Sequence, residues 1–302
     1  IFFSVPRLWV KFQQGILAKM PPAKLDRMLS IPLLNLVVKK KIRKALGLDQ
    51  CRFAAGGAAP MPIDLLKWYR KLGLPINEGY GMTENLAVSH ITVAGEDMIG
   101  TVGPAYDGVQ VRIDKKTGEL QMKSPAVMKG YYKEPELTKE AFTEDGWLRT
   151  GDKAAHDDRK CLKITGRVKD LFKTSKGKYV APAPIEDKLV MHSAVEACAV
   201  VGANMGQPIG LGMLGPEAAK KLADPAERQA LTDSLAEHLA TINAKLDPHE
   251  QMDCIVLFKE AWTVDNGFIT PTFKVKRNEI DKAYGEQYEK WADSRKKVIL
   301  VD

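Results

Sequence analysis

The sequence predicts an α/β fold in two parts. Residues 1–168 should form the later part of a large domain of distorted sheets with helices, and residues 169–302 a small α+β domain. Three patterns lead there. Short apolar runs of strand character alternate with helical periodicity through the first part. Beyond Arg167 the texture changes to shorter elements around a Lys176-Gly177-Lys178 turn. Leu231, Leu235, Leu239, Ile242 and Leu246 then make one apolar stripe, so the second part has a core-facing helix of its own.

Taken in order, IFFSVP (1–6) reads as a buried strand, and helical patterning runs from Arg7 through a basic run to Leu46. Residues 51–55 read as a second short strand. It ends in Gly56, Gly57, Ala58, Ala59 and Pro60, small residues that let the backbone approach a flat ligand. Asp64 is placed to cap a helix through Leu72, which Gly73 and Pro75 stop. A short strand then leads into Glu78. Alternating apolar positions in VQVRI and ELQMK, around a DKKTG turn, predict a hairpin over 109–123. Residues 162–165 read as a strand. In the second part, VKDLFKTS and KYVAP flank the Lys/Gly turn, and a helix follows around 185–191. EACAVVG and LGML read as buried strands, and a long helix follows Pro225. One last helix carries Ile280, Tyr284, Gln287, Tyr288 and Trp291.

With 45% hydrophobic and 27% charged residues in 302, the chain is long enough and apolar enough for real cores. The net charge of +7 suits a polyanionic ligand, and no recognised nucleic-acid motif accompanies it. Lys39, Lys40, Lys41, Arg43 and Lys44 form the densest basic run, read first as a solvated helix face and second as contact with an anionic membrane surface. Four widely spaced cysteines favour reduced thiols in the cytoplasm over a disulfide framework. The longest apolar stretch, near 31–38, is too short to span a bilayer, and no signal peptide is readable. The first residue is Ile1, inside an apolar run, so the chain is expected to be a piece of a longer one. Strand edges and apolar surface are then expected to be exposed.

Four short signatures follow in fixed order: GYGMTE (79–84), TGD (150–152), GRVKD (166–170) and TPTFKVKR (270–277). In the first, Gly79 and Gly81 allow a tight turn, Tyr80 offers a ring to an adenine, Thr83 a hydroxyl to phosphate and Glu84 a hard oxygen to Mg²⁺. A plain strand-to-loop turn with a helix cap would use the same string. Asp152 can accept two hydrogen bonds from vicinal ribose hydroxyls, or simply close a capped turn. Arg167, fifteen residues later, can reach the same ribose or a phosphate, or form a surface ion pair. Lys274, on a loop stiffened by Pro271 with Phe273 packed, can bridge a carboxylate and an α-phosphate, or stay solvated beside Lys276 and Arg277. Together the four supply groups to hold a nucleotide and a metal-bound phosphate and to join a carboxylate to it.

VPRLWVKF, GGAAP, EGYGMTE, GWLRTGD, LKITGRVKD, KGKYVAPAPIE and TPTFKVKR, in this order, resemble the adenylate-forming (AMP-binding) superfamily, and most closely its long-chain fatty acyl-CoA synthetases. The resemblance implies a partial adenylate-binding domain followed by a mobile lid. Gly57, Ala58 and Ala59 would line the adenine and acyl pocket, and Glu78, Gly79, Tyr80, Gly81 and Met82 would wrap the adenine. Thr83 would meet the phosphates and Glu84 the Mg²⁺. Asp152 and Arg167 would hold the ribose, Lys274 would serve adenylation, Lys169 would be the hinge, and Lys176 and Gly177 would face the coenzyme A channel.

The implied activity is a fatty acid–CoA ligase using ATP, Mg²⁺ and coenzyme A, with no obligate protein partner readable. Two other readings stay open: a non-catalytic nucleotide-binding remnant, and an adenylating enzyme that serves a carrier-protein thiol. The superfamily's Ser/Thr/Gly-rich phosphate loop has no counterpart in these residues and is expected upstream of Ile1, so this piece alone is expected to turn over little or not at all. Arg149 stands where relatives often have His. Arg159 and Lys160 replace an Asp-Gly turn, which puts that hairpin's geometry in question.

Overall fold

The computed structural model describes residues 1–271 and 274–301. The chain divides into two compact units, Ile1–Val168 and Lys169–Asp302.

In the first unit, β1 (Phe2–Ser4), β2 (Ala54–Gly56) and β3 (Ile76–Tyr80) are parallel neighbours, and β4 (His90–Ile91) runs antiparallel to β3. Parallel neighbours need crossovers. Helices α1 (Pro6–Lys19), α2 (Pro22–Ser30) and α3 (Leu34–Ala45) make the first, and α4 (Ile63–Lys71) the second. The single helical pattern over 7–46 is thus three helices. Prolines interrupt it, with Pro22 opening α2 and Pro32 preceding Leu33, whose φ is 65°. Trp9 on α1 and Tyr69 on α4 are fully buried, with ring centroids 5.0 Å apart, and the Tyr69 hydroxyl donates to the Trp9 carbonyl at 2.7 Å. Asp64 does not cap α4. Pro62 holds the cap position, and Asp64 lies in the first turn, where its charge still meets the positive helix end. Nor is β1 buried: among the described residues it pairs with β2 alone, and Phe3 is 62% exposed.

The second sheet of this unit is an antiparallel meander of β5 (Gln110–Ile113), β6 (Glu119–Lys123), β7 (Leu148–His156) and β8 (Leu162–Arg167), with α5 (Pro135–Ala141) between β6 and β7. Leu120, Met122, Leu148 and Leu162 form its fully buried centre. The expected 109–123 hairpin closes as its turn chemistry dictates. Asp114 accepts from the Lys116 and Thr117 amides at 3.0 and 2.8 Å, and Gly118 takes a φ of 72°. The β7–β8 turn keeps its hairpin without glycine. Asp157 accepts from the Arg159 and Cys161 amides at 3.0 and 2.8 Å, and Lys160 itself adopts a φ of 63°.

The second unit opens with the hairpin of β9 (Phe172–Lys173) and β10 (Tyr179–Val180), turning at Gly177 with a φ of 77°. There follow α6 (Pro182–Leu189), β11 (Val195–Val201), β12 (Ile209–Leu214), α7 (Pro216–Lys221), α8 (Pro225–Asn243), β13 (Ile255–Phe258), α9 (Arg277–Tyr284), α10 (Tyr288–Asp293) and β14 (Val298–Val301). The sheet order is β11-β12-β13-β14, antiparallel for the first pair and parallel thereafter. Every residue of β12 and β13 is buried because both faces are covered. Ile255 and Leu257 join the α6 and α8 side with Leu235, Leu239 and Ile242. Val256 and Phe258 join Trp262, Ile280 and Trp291. Leu246 packs against the α8 cluster from beyond that helix's end. The expected last helix is broken by a 3-10 turn, Gly285–Gln287.

Candidate functional site

The GYGMTE signature starts on β3 and leaves it abruptly. Gly81 permits the exit, since a Cβ there would lie 2.5 Å from the Ala87 backbone. Leu86 and Ala87 are both held at a φ of 57°. What holds them is Asn85, fully buried, whose Oδ1 accepts from the Met82 amide at 2.9 Å while its amide group meets Met122 Sδ at 2.7 Å. Asn85 was not singled out from the sequence; its place directly behind the signature was the available signal. Thr83 is exposed and Glu84 half-buried. Glu84 Oε1 accepts the Tyr131 hydroxyl at 2.8 Å, and this bond to a carboxylate, with partial burial, raises the Tyr131 pKa.

Beside it, β2 is in register with β3, Gly56 opposite Glu78. A Cβ on Gly57 would sit 3.1 Å from the Gly79 carbonyl, so the backbones approach closely there. Ala58 and Ala59 are exposed, Ala58 with a φ of 67°. Glu78 is buried and accepts from the Met61 amide at 3.4 Å, tying the Gly/Ala loop to β3.

The structure brings three of the expected residues together. Asp152 and Arg167 are direct partners across β7 and β8, which is how fifteen residues of separation become an ion pair of 3.4 Å between Arg167 Nε and Asp152 Oδ1. Tyr80 donates its hydroxyl to Asp152 Oδ2 at 2.6 Å. Burial, then the Asp152 charge and this hydrogen bond, push the Tyr80 phenol far above its ordinary pKa, so it remains a donor. Its ring faces His90 with centroids 6.2 Å apart, and burial followed by His156 lowers the His90 pKa to about 4.

The TGD segment is not the capped turn the sequence allowed but part of β7, anchored from β6, where a register irregularity between Glu119 and Gln121 admits it. Buried Glu119 accepts from the Gly151 amide at 3.0 Å and pairs with Arg149 at 3.3 Å. The Thr150 hydroxyl donates to the Leu120 carbonyl at 2.8 Å and accepts from the Asp152 amide at 3.1 Å. Glu119, too, escaped the sequence reading, since a carboxylate in an alternating strand reads as solvent-facing.

In the second unit, Lys274 is exposed, next to Val275, which forms an isolated bridge with Ile269. Its amide donates to Thr270 Oγ1 at 3.0 Å, and its carbonyl accepts from the Thr270 amide at 2.8 Å. Phe273, expected to pack, lies outside the described residues. Lys176 and Gly177 occupy the β9–β10 turn, closed by Gly177 N–H to the Thr174 carbonyl at 2.9 Å. Lys169 is exposed at the start of this unit, one residue before Asp170, which pairs with Arg277 at 3.4 Å.

Among the described residues no three His, Cys, Asp or Glu side chains cluster as a metal cage. One carboxylate, Glu84, is what Mg²⁺ asks of a protein when substrate phosphates and water complete its shell, so the residue fits the ion. All four cysteines are free thiols, and among the described residues no helix is long and apolar enough to cross a membrane.

Known proteins match this arrangement. The family described as "AMP-binding enzyme" matches residues 1–132, and "AMP-binding enzyme C-terminal domain" matches 169–293. A putative fatty-acid–CoA ligase, fadD11 of Mycobacterium tuberculosis, is 34% identical over 271 residues, covering 84% of this chain and 46% of the relative. A long-chain-fatty-acid–CoA ligase, FadD15 of Mycobacterium bovis, is 35% identical over 287 residues, covering 91% of this chain and 46% of its own. The solved adenylation domain of a carboxylate reductase from Mycobacterium chelonae superposes with a TM-score of 0.72 at 26% identity, covering 96% of this chain and 46% of that one. The chain thus spans about half the length of the curated relatives it matches. With both of its units matched and the ordered signatures folded as described, the chain belongs to the AMP-binding, adenylate-forming enzyme family, close to its fatty-acid–CoA ligases.

Proposed function

We propose that the protein containing this chain activates a long-chain fatty acid with ATP and passes the acyl group to coenzyme A. The observation that carries the reading is the Tyr80–Asp152–Arg167 cluster, a carboxylate fixed from two sides with acceptor capacity left for a vicinal diol. Asp152 takes the two ribose hydroxyls, and Arg167, half in solvent, turns the rest of its guanidinium to the sugar or a phosphate. Gly57 and Gly79, where the backbone comes close, take the flat base. Thr83 donates its hydroxyl to a phosphate oxygen, and Glu84 would hold Mg²⁺, which would supply neutralisation of phosphate charge.

In the first half-reaction a fatty carboxylate oxygen attacks the α-phosphorus. A new P–O bond forms, the bond to the β-phosphate oxygen breaks, and pyrophosphate leaves with the electron pair. Lys274 brings its ammonium to the point where negative charge gathers. In the second, the coenzyme A sulfur, having lost its proton, attacks the acyl carbonyl carbon and AMP departs. Lys169 is the hinge that exchanges Lys274 for the Lys176–Gly177 turn at the site. The four free thiols suit a reducing, cytoplasmic setting.

The test separates the half-reactions. Lys274→Ala in the active protein should slow adenylation, read by pyrophosphate release, by ~100-fold or more, and leave thioester formation from preformed acyl-adenylate within a few-fold. Equal loss in both steps would sink the assignment of Lys274. Supplying coenzyme A and a carrier-protein thiol side by side reads the acceptor from the product.

A further inference from the structure

Glu84 is an awkward position for a metal carboxylate. It lies in the 3-10 turn Thr83–Asn85, three residues long, which fixes the backbone but leaves a long side chain to choose among rotamers. Ordering such a side chain costs entropy, and an oxygen that is to meet a cation must already point the right way. The order has to come from outside the turn.

It comes from the segment between β6 and α5, which grips Glu84 at both ends. The Met128 amide donates to the Glu84 carbonyl at 2.7 Å, and the Tyr131 hydroxyl, 47 positions away, donates to Oε1 at 2.8 Å. Among the described residues no basic side chain pairs with this carboxylate, and Tyr131 is the one side chain that bonds it. Tyr131 is itself held. Its amide donates to Thr138 Oγ1 at 2.9 Å, and the Thr138 hydroxyl donates to the Glu134 carbonyl at 2.7 Å, at the head of α5. A Cβ on Gly130 would lie 2.7 Å from Thr138 Cγ2, so a glycine lets the segment close against the helix. Core packing does not account for the Tyr131 ring, which is 40% exposed.

We propose that Tyr131 is the positioning residue of the Mg²⁺ carboxylate: its hydroxyl holds Oε1 of Glu84, and Oε2 is thereby presented to the ion. The proposal rests on the reading of Glu84 as the metal's carboxylate. Mg²⁺ draws on one or two carboxylates and completes its shell with phosphate and water. Hydrogen bonds from behind set such a ligand's direction and are worth about 10–100-fold in metal affinity. A phenol suits the task because it is a neutral donor. A lysine or arginine in its place would orient the carboxylate too, but would repel the cation.

The test uses the whole protein that contains this chain, with α,β-methylene-ATP, which cannot be cleaved at the bridge, and Mn²⁺ in place of Mg²⁺. Water-proton relaxation reads the Mn²⁺ held on the protein–nucleotide complex, with no turnover required. Tyr131→Phe, which removes one oxygen, should raise the Mn²⁺ dissociation constant about 10-fold. In EDTA, calorimetry should give its affinity for the metal-free nucleotide as the parent's. Tyr132→Phe, at a neighbour 85% exposed, should match the parent in both measurements. Glu84→Gln should weaken Mn²⁺ at least as much, and adding Tyr131→Phe to it should cost nothing more, because the hydroxyl acts through that carboxylate. Additive losses overturn the proposal. So does a Tyr131→Phe that keeps the ion where Glu84→Gln loses it, and the ligase reading survives both results. Equal loss of metal-free nucleotide in Tyr131→Phe would reduce the bond to a loop staple and overturn the proposal as well. If Glu84→Gln holds Mn²⁺ as the parent does, the metal assignment itself fails and takes the proposal with it.

Discussion

Asp152 is useful because its two oxygens are held from different strands, Oδ2 by the Tyr80 hydroxyl on β3 and Oδ1 by Arg167 on β8. A carboxylate fixed this way is already oriented, so a ligand can use it without reordering it. Backbone strain is handled at residue scale as well. Lys160 sits at a φ of 63° in the β7–β8 turn, a region that suits glycine. Its neighbours compensate: Asp157 gathers two amides, and the Arg159 guanidinium pairs with Asp157 at 2.9 Å. Lys160→Gly should relieve the left-handed strain at some cost in unfolded-chain entropy, a net gain of about 0.5–1 kcal/mol. Calorimetry should show a midpoint raised by ~1–4 °C; a lowered one would mean the lysine side chain itself stabilises the turn. The sequence revealed that the glycine was missing. It did not reveal that Asp157 takes over, because that depends on where the strands place the two amides.

At the scale of elements, the loop carrying Lys274 is rooted by the first residue of α9. The Arg277 guanidinium meets Glu186 on α6 at 2.5 Å, Asp170 at 3.4 Å and the β11 carbonyl of Val200 at 3.1 Å. Burial opposes the charge on Arg277, but Glu186 and then Asp170 outweigh it and its pKa rises. Glu186 also accepts from the Val200 amide at 2.6 Å, so one ion pair joins α6, β11 and α9. Removing one partner strands the other. Arg277→Gln and Glu186→Gln should each destabilise by about 2–4 kcal/mol, and a double-mutant cycle in urea should return a coupling above ~1 kcal/mol. Additive effects would show the pair to be incidental. Both residues stand in signatures visible in the sequence, TPTFKVKR and KYVAPAPIE, but the link between them spans 91 positions and only the tertiary fold supplies it. Elements of local origin were more legible. The 109–123 hairpin and the α8 stripe announced themselves by periodicity and turn residues. The breaks within 7–46 and at Gly285 did not, since apolar spacing persists across a proline or glycine that the backbone cannot follow.

Across the whole molecule, a buried histidine stands unopposed by the Asp187 type of shift in the first unit, whereas the second unit holds shifts of both signs, so acid should act on the two unequally. In the first unit His90 is buried and its pKa falls to about 4. Between pH 6.5 and 4 the unfolded state binds the proton that the folded state refuses, so stability declines as pH falls through that window. From pH 7 to 5 the loss is about 2 kcal/mol. In the second unit His192, lowered to about 4 by burial and then His238, contributes a loss of the same sign. Asp187 opposes it: burial and then Glu186 raise it to about 7, so its folded form takes up a proton that the unfolded form gives away, and stability grows as pH falls from 7 toward 3.8. His238, lowered by burial, adds to the His192 loss, and Asp253, raised by burial, adds to the Asp187 gain, so over pH 7 to 5 the changes in the second unit oppose one another. Buried thiols report on each unit, Cys161 on the first and Cys254 on the second. Their reaction with dithiodipyridine along a urea gradient, assigned by peptide mapping, should give a Cys161 midpoint that drops from pH 7 to 5 while the Cys254 midpoint holds. His90→Asn should remove most of that drop. Equal movement of both midpoints would mean that the units unfold as one, or that His90 takes its proton freely in the folded state; the His90→Asn midpoints at the two pH values tell these apart.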